Sequence, residues 1–413
     1  MFLTVVAVAI MASFLFDLWL DRRQIHHVLV HRERVPAAFQ GALSIEEHQK
    51  AAAYTVARRR FGIKRELAGM VLSLLLLVGG GFAFINSVVA TTFGTGYVGS
   101  LALVAIIAGI GGLVALPFAY VGTFSIEAAF GFNRTTRKLF FVDRAKSVAL
   151  AIAFATPLVL AADFAMRQLG SWWWFAVWGI FVAFNLLALL IVPTFIMPLF
   201  NKFEVLKDEV LKSRIEALMK RCGFHPKGVY RMDGSKRSGH GNAFFTGFGP
   251  SKRIVLFDTL LEKLTPEEIE AVLAHELGHF KLRHVLRRLL TYFGASLVIL
   301  AFLGWLFRQD GFYRGFGVDP AIAHAMPMTG LLLFFLLFPL VSTWFRALPN
   351  HVSRRQEFEA DAYAANHANS RELASALVKL HRDNAATLTS DPIYSAVNDT
   401  HPSAAQRIAR LAA

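Results

Sequence analysis

Seven stretches of the chain are each long and apolar enough to cross a lipid bilayer. They run approximately over residues 1–20, 67–89, 101–121, 148–166, 172–197, 289–307 and 328–344. A spanning helix needs about 20 mostly apolar residues, because lipid offers no hydrogen-bond partner to an open backbone. The last two stretches have an alternative interpretation, as a buried helix pair in a soluble domain. Together the seven favour a mostly α-helical, polytopic membrane protein.

The overall composition argues against an ordinary soluble protein. Hydrophobic residues make up 55% of the chain and charged residues 17%, whereas soluble domains contain roughly 45–50% and about 25%. The 38 phenylalanines are more than a water-soluble core of this size would hide. The single cysteine, Cys222, excludes an internal disulfide, which is typical of a reducing compartment.

The basic residues alternate between the segments that connect the spans. Residues 21–66 contain ten Lys or Arg and residues 122–147 contain five, whereas residues 86–100 carry no charge. Lys and Arg accumulate in cytoplasmic loops of membrane proteins. With seven spans, this pattern predicts an N-terminus outside, and the segment 201–288 and the C-terminus in the cytoplasm. The net charge of +14 is then explained by topology, and we expect no nucleic-acid partner.

The polar parts of the chain predict four regions. Residues 1–200 form a membrane region with five spans, and residues 289–345 form two further spans. The polar segments 201–288 and 346–413 lie on either side of that hairpin, and we expect them to come together as one cytoplasmic domain.

The sharpest local pattern is His-Glu-x-x-His, formed by His275, Glu276 and His279. Thr265, Pro266 and Glu268 provide an N-cap, a first-turn proline and a capping box, so the pattern lies on a helix. Two histidines four residues apart face the same way on a helix and can bind one Zn²⁺. The glutamate beside the first ligand is placed to act as general base toward zinc-bound water. The pattern therefore predicts a zinc hydrolase with one Zn²⁺ per chain.

A catalytic zinc site needs a third protein ligand. The acidic segment at 357–361 offers Glu357 and Glu359, and spacing alone does not choose between them. Helical spacing places Asp361 on the same face as Glu357. Asp361 is there expected to accept a hydrogen bond from the free ring N–H of a ligating histidine.

Several separate segments, in order, resemble the type I CAAX prenyl proteases, which are integral membrane zinc metalloproteases. The similarity runs from about residue 124 to residue 411. The matching segments are Gly-Phe-Asn-Arg-Thr-Thr at 131–136, Pro-Leu-Phe-Asn-Lys-Phe at 198–203, Asn-Ala-Phe-Phe-Thr-Gly at 242–247, Arg-Ile-Val-Leu-Phe-Asp-Thr-Leu at 253–260, Glu-Phe-Glu-Ala-Asp at 357–361, Asp-Pro-Ile-Tyr-Ser at 391–395 and His-Pro-Ser at 401–403. The first 120 residues are similar only in their hydrophobic pattern.

The resemblance carries expectations about the fold and the site. It implies spans that enclose an intramembrane chamber, with an α+β zincin-like protease domain at its cytoplasmic end. It assigns the third zinc ligand to Glu357. His401 and Arg407 fit a family pair near the active site, which would stabilise the oxyanion or bind substrate. Asn242, Ala243 and Phe244 would belong to an edge strand that pairs with extended peptide, and an ordinary core strand is the alternative.

The expected function is that of a membrane-embedded zinc metalloendopeptidase. The resemblance implies removal of the last three residues after a prenylated cysteine, so the expected partners are a peptide or protein substrate, lipidated or not, and the bilayer. Compact loops favour a bacterial source, for which a quality-control protease that degrades misfolded membrane proteins is the alternative. A second alternative is a seven-span transporter or receptor without enzymatic activity.

Overall fold

The protein is described here from a computed structural model that covers residues 1–246 and 251–412. Six long apolar helices have the length and composition to cross a membrane, and a bent helix pair brings the number to seven if it counts as one span. The prediction of a mostly helical, polytopic membrane protein is therefore confirmed, with six to seven spans.

The membrane part consists of eight helices in the chain order of the predicted spans. These are α1 (Phe2–Val30), α2 (Ile45–Ser73), α3 (Gly81–Phe93), α4 (Tyr97–Val121), α5 (Arg137–Gln168), α6 (Trp173–Ile191), and later α11 (His284–Leu306) and α14 (Met328–Phe345). Between 6% and 28% of the apolar window of each continuous span is buried. Most of the surface of each span is therefore left for contact with lipid or with the interior chamber that the resemblance implies.

The second predicted span is not straight. Helix α2 passes through a π-helical stretch at Leu74–Val78 and meets α3 at an angle of 59°. Gly80, at the break, has a φ of +76°, which favours glycine. A Cβ on Gly81 would lie 2.8 Å from the carbonyl oxygen of Leu75, so the close backbone approach also requires glycine there. The expectation of one continuous helix over residues 67–89 is corrected by these glycines.

The basic segments that were expected to be loops are largely helical. Helix α1 continues to Val30, ten residues beyond the predicted end of the first span, and α2 begins at Ile45. Ser44 caps α2 through a capping box with Glu47. Hydropathy marks only the part of a helix that lies in lipid, so these polar extensions were not predicted.

Polar contacts bring together the ends of the spans that were predicted to share a side of the membrane. Arg167 binds Asp163 at 3.0 Å and the carbonyl oxygens of Thr95 and Ala325 at 2.8 and 2.7 Å. These contacts gather the charge-poor connections beside α12 (Asp310–Gly315) and α13 (Pro320–Ala325).

At the other ends of the spans, arginine–carboxylate pairs connect the basic segments to the polar domain. Arg23 of α1 binds Asp391 at 2.9 Å, and Arg237 binds Asp143 of α5 at 2.7 Å. The charge-poor and basic segments are thus segregated to opposite ends, as the charge pattern predicts. Which end faces the cytoplasm stays a prediction.

The polar domain contains a four-stranded sheet with helices packed on it. The strand order is β1-β2-β4-β3, in which β2 and β4 are parallel and the other pairs antiparallel. The elements are α7 (Met197–Phe200), β1 (Phe203–Val205), α8 (Glu209–Arg221), β2 (His225–Met232), β3 (Ala243–Thr246), β4 (Ser251–Phe257), α9 (Asp258–Leu261), α10 (Pro266–Lys281), α15 (Ala347–His367), α16 (Ser370–Asp383), α17 (Pro392–Asn398) and α18 (Ala404–Leu411).

Segments from both sides of the α11–α14 hairpin share one hydrophobic core. Ile215 of α8, Ile254 of β4 and Leu273 of α10 are buried together with Ala364 of α15 and Leu373 of α16. Residues from the two polar segments therefore pack against each other in this core.

Candidate functional site

The helix that carries the His-Glu-x-x-His pattern begins as its sequence predicts. The Thr265 side chain accepts from the backbone N–H of Glu268, and the Glu268 carboxylate accepts from the backbone N–H of Thr265 at 2.8 Å. Glu268 is buried and also accepts from Ser375 and Lys379 of α16, at 2.6 and 2.9 Å. Burial alone would raise the pKa of Glu268, but these hydrogen bonds lower it below its usual value. The start of α10 is thereby fixed to α16.

Three metal-ligating side chains converge between α10 and α15. His275 Nε2 lies 3.3 Å from His279 Nε2, and the two nitrogens lie 3.5 and 3.3 Å from oxygens of the Glu357 carboxylate. Ligands about 2.0–2.1 Å from a tetrahedral ion are about 3.3–3.5 Å from one another. The described residues contain no other group of three His, Cys, Asp or Glu with such convergence. The donor set therefore fits one zinc-sized ion.

The outward nitrogen of the first histidine is held by a buried carboxylate. His275 Nδ1 lies 2.8 Å from Asp361 Oδ1. Arg407 binds the same carboxylate through two hydrogen bonds, at 2.8 and 2.6 Å. Burial acts to raise the pKa of Asp361, but the hydrogen bonds with His275 and Arg407 outweigh it and lower the pKa. Asp361 is thus ionised and oriented to fix His275, the arrangement expected from its spacing.

The outward nitrogen of the second histidine has a partner that the sequence did not reveal. His279 Nδ1 lies 3.0 Å from His284 Nδ1, and His284 Nε2 lies 3.0 Å from Glu359 Oε2. Helix α10 ends at Lys281, and Arg283, with a φ of +59°, turns the chain so that His284 begins α11. A non-glycine residue with positive φ is uncommon, so the sequence gives no sign that His284 turns back toward the site.

The two rival glutamates are placed very differently. Glu357 is buried beside the histidine pair, whereas the Glu359 carboxylate lies against His284 and Arg355. Burial would raise the pKa of Glu357, but contacts with His275, His279 and His401 hold it well below its usual range.

Glu276 is half-buried and forms no hydrogen bond or ion pair with any residue that the structure describes. Its carboxylate is therefore available to a substrate or a water molecule.

His401 and Arg407 both reach the site, in different ways. His401 Nδ1 lies 2.8 Å from Glu357 Oε2, while its side chain stays 64% exposed to solvent. Arg407 is buried, and its guanidinium is engaged by Asp361, with Nη1 lying 3.6 Å from Glu357. His401 is accessible to a bound peptide, whereas Arg407 is occupied by the protein itself.

The predicted edge strand is found at the edge. Among the residues that the structure describes, strand β3 pairs only with β4, and Asn242 precedes it. Phe244 lies opposite Val255. In an antiparallel pair, successive residues of a strand bond alternately toward the partner strand and away from it. The backbone N–H and C=O of Phe245 therefore point to the free edge of β3. The last residue of the matching segment, Gly247, lies outside the described residues.

Two family models together match almost the whole chain. Residues 24–202 match the CAAX prenyl protease N-terminal model, described as five membrane helices, and residues 205–413 match peptidase family M48. The CAAX prenyl protease 1 of Saccharomyces cerevisiae is 32% identical, covering 97% of this chain and 93% of that protein. The homologue from Dictyostelium discoideum is 39% identical over 72% of this chain and 70% of its own length.

A crystal structure of Ste24p from Saccharomyces mikatae superposes with a TM-score of 0.91 at 32% identity, covering 99% of this chain and 98% of that one. These relatives are eukaryotic, so a bacterial source stays a prediction. The two family models, the yeast relative and the solved structure all match this chain over nearly its full length. The chain therefore belongs to the CAAX prenyl protease 1 group of peptidase family M48, and it is a multi-pass membrane metalloendopeptidase.

Proposed function

We propose that the protein is a zinc endopeptidase that removes the last three residues of proteins ending in a CAAX-type sequence. The observation that carries the proposal is the convergence of His275, His279 and Glu357, in which the outward nitrogen of each histidine has its own protein partner. Ligating histidines characteristically donate their second ring N–H to such partners. The names of the relatives supply the substrate class.

His275, His279 and Glu357 would hold one Zn²⁺. When bound, the ion would polarise the scissile carbonyl and acidify the attacking water. Glu276 accepts the proton from that water and passes it to the leaving amine, which is the role of a carboxylate adjacent to the first ligand. Its freedom from protein partners leaves it available for both transfers.

His401 and Arg407 have separate roles in this proposal. The exposed His401 donates a hydrogen bond to the oxyanion that forms on the substrate. Arg407 acts through Asp361, because both of its hydrogen bonds to that carboxylate are short and the group is buried. We therefore assign Arg407 to positioning, in place of the contact with the oxyanion or the substrate that the resemblance implies.

The substrate backbone adds to the free edge of β3, with Asn242, Ala243 and Phe244 beside it. We also propose that the chain divides after residues 200, 288 and 345 into the four regions described above. The catalytic domain lies on the cytoplasmic side of the membrane. The alternatives are less well supported, since a transporter would not need the zinc site, and the shorter quality-control proteases are expected to have fewer spans.

The test compares wild type with Glu276→Gln and Glu357→Ala. Glu276→Gln is expected to bind one Zn²⁺ per chain and to lose cleavage of a farnesylated CAAX peptide by a factor of about 10²–10⁴, because it cannot accept the proton. Glu357→Ala is expected to lose both zinc and cleavage. Zinc content measured on purified protein, together with product analysis, checks both. Unchanged cleavage by Glu276→Gln would disprove the mechanism.

A further inference from the structure

A polar cavity lies beside the proposed zinc site, between the protease domain and helix α2. Its volume is about 560 Å³, within the range of small-ligand sites. His401 lines one end, and His401 Nδ1 is 2.8 Å from the Glu357 carboxylate. Arg58, Tyr54 and His240 line both this cavity and an adjoining one of about 330 Å³. The cavity therefore leads from the metal-binding carboxylate to a basic residue of the membrane part.

Arg58 is the cation of this cavity that has no carboxylate partner. It is exposed, and the described residues contain no Asp or Glu oxygen within 4.0 Å of its guanidinium. The neighbouring Arg59, by contrast, is paired with the buried Asp21 at 3.5 Å. The one acid that lines the same cavity, Asp399, accepts from the Ser390 hydroxyl at 3.2 Å.

Arg58 lies over an aromatic ring that is itself held by a chain of contacts. Its guanidinium lies 5.3 Å from the centre of the Tyr54 ring. The Tyr54 hydroxyl donates to Glu127 at 2.6 Å, and the same carboxylate lies 3.5 Å from His240 Nε2. His240 is also in contact with Asn384 at 3.1 Å. A side chain held in this way loses less conformational entropy when it binds an anion.

The edge strand has different surroundings in its two directions. His240, three residues before β3, lines the polar cavity. Phe244, Phe245 and Thr246 line a larger cavity of about 990 Å³, whose other walls are mainly apolar and also include Lys281 and Arg283. A peptide on β3 therefore has one polar direction in which to extend, past His240 toward Arg58, and one mainly apolar direction.

We propose that Arg58 binds the terminal carboxylate of the substrate, and that the peptide runs antiparallel to β3 with its C-terminus toward His240. The inference rests on the proposed function, in which three residues follow the cleaved bond. Three extended residues span about 10 Å, a length that a cavity of this size can contain. Arginine binds carboxylates through two parallel hydrogen bonds, so it selects a free C-terminus over an internal or blocked one.

Two farnesylated peptides of identical sequence test the proposal, one ending in a free carboxylate and the other in a carboxamide. Full-length wild-type protein in detergent is expected to prefer the carboxylate in kcat/KM. Arg58→Gln is expected to lower kcat/KM for the carboxylate peptide by about 10- to 100-fold, the value of a hydrogen bond to a charged group, and to cut the carboxamide peptide as wild type does. Arg58→Lys retains the charge but cannot form the two parallel hydrogen bonds, so its kcat/KM for the carboxylate peptide is expected to lie between those of wild type and Arg58→Gln.

Two other arginines serve as controls. Arg60 is exposed on the same helix and lines neither cavity, so Arg60→Gln is expected to keep the preference. Arg253 lines a cavity at the opposite end of β3, and Arg253→Gln is also expected to keep it.

Three results would overturn the proposal. The first is equal cleavage of both peptides by wild type, and the second is an equal loss on both peptides in Arg58→Gln. The third is loss of the carboxylate preference in Arg253→Gln, which would indicate that the peptide runs in the opposite direction along β3. Each leaves the proposed endopeptidase intact, because the carboxamide peptide is still cut. If wild type cuts neither peptide, the proposed function fails and the carboxylate site falls with it.

Discussion

The two histidines of the proposed zinc site are supported by unlike partners. His275 rests on a carboxylate that is itself fixed by Arg407, whereas His279 rests on a third histidine and then on the partly exposed Glu359. A ligating histidine is oriented by the partner of its second ring nitrogen. The orientation of His279 therefore depends on His284, which lies outside the His-Glu-x-x-His pattern.

We expect His284→Ala to weaken zinc binding by about 10- to 100-fold, because His279 loses the group that orients its ring. Competition for zinc against a chelator of known affinity measures the effect without using activity. His351→Ala is the matched control, since His351 is exposed on α15 and forms no hydrogen bond or ion pair with the described residues. Equal zinc affinity in wild type and His284→Ala would contradict this role.

The sequence predicted the ligands more completely than their supports. His275 and His279 follow from helical spacing, and Asp361 follows from its spacing to Glu357. His284 was missed because its position depends on the positive φ of Arg283, which no residue preference announces. Glu359 could be assigned only once His284 was in place, because its partner comes from a different helix.

Helix α10 is anchored at its first turn by an unusually well-connected residue. Glu268 completes the capping box with Thr265 and also joins α16 through Ser375 and Lys379. Both proposed histidine ligands lie later on the same helix, so the cap contributes to the position of the site as well as to stability.

Removal of this anchor is expected to destabilise the protease domain. Glu268→Ala loses the cap, worth about 1 kcal/mol, and charge-assisted hydrogen bonds worth about 1.5–3 kcal/mol, so the free energy of unfolding falls by about 2.5–4 kcal/mol. Thermal unfolding in detergent measures the loss. Glu267→Ala is the control, because its surface ion pair with Arg214 is worth at most about 1 kcal/mol.

The effect of Glu268 depends on pH in a defined direction. The pKa of Glu268 is lowered in the folded protein. Its contribution to the free energy of unfolding is therefore complete above the ordinary glutamate pKa and is lost as the pH falls through the lowered pKa. Wild type and Glu268→Ala are therefore expected to differ at neutral pH and to converge in acid. A difference that grows on acidification would refute the assignment.

The molecule as a whole is organised by charge along the membrane normal. Arg167 gathers the charge-poor connections at one end, and Arg23 and Arg237 tie the basic segments to the protease domain at the other. Hydropathy and loop charge together predicted the spans and this segregation. They could not predict the bend at Gly80, because apolar composition reports how much chain lies in lipid and gives no direction for the helix axis.

Single cysteines are expected to react from opposite sides of the membrane. Cys222 is buried, so its replacement by alanine gives a silent background. Cysteines at the exposed Ala38 and Lys207 are expected to be labelled from the cytoplasm, and those at Ser171 and Gln309 from outside. Labelling of all four from one side would contradict the seven-span topology.

The proposed ligands are divided by the last pair of membrane helices. His275 and His279 lie on α10, before α11 enters the bilayer, and Glu357 lies on α15, after α14 has left it. During synthesis, the newly made chain carries only two of the three ligands until both helices have been inserted. With the proposed ligand set, the metal site is complete only after both membrane helices have been made, so a chain that stalls before α15 lacks the third ligand.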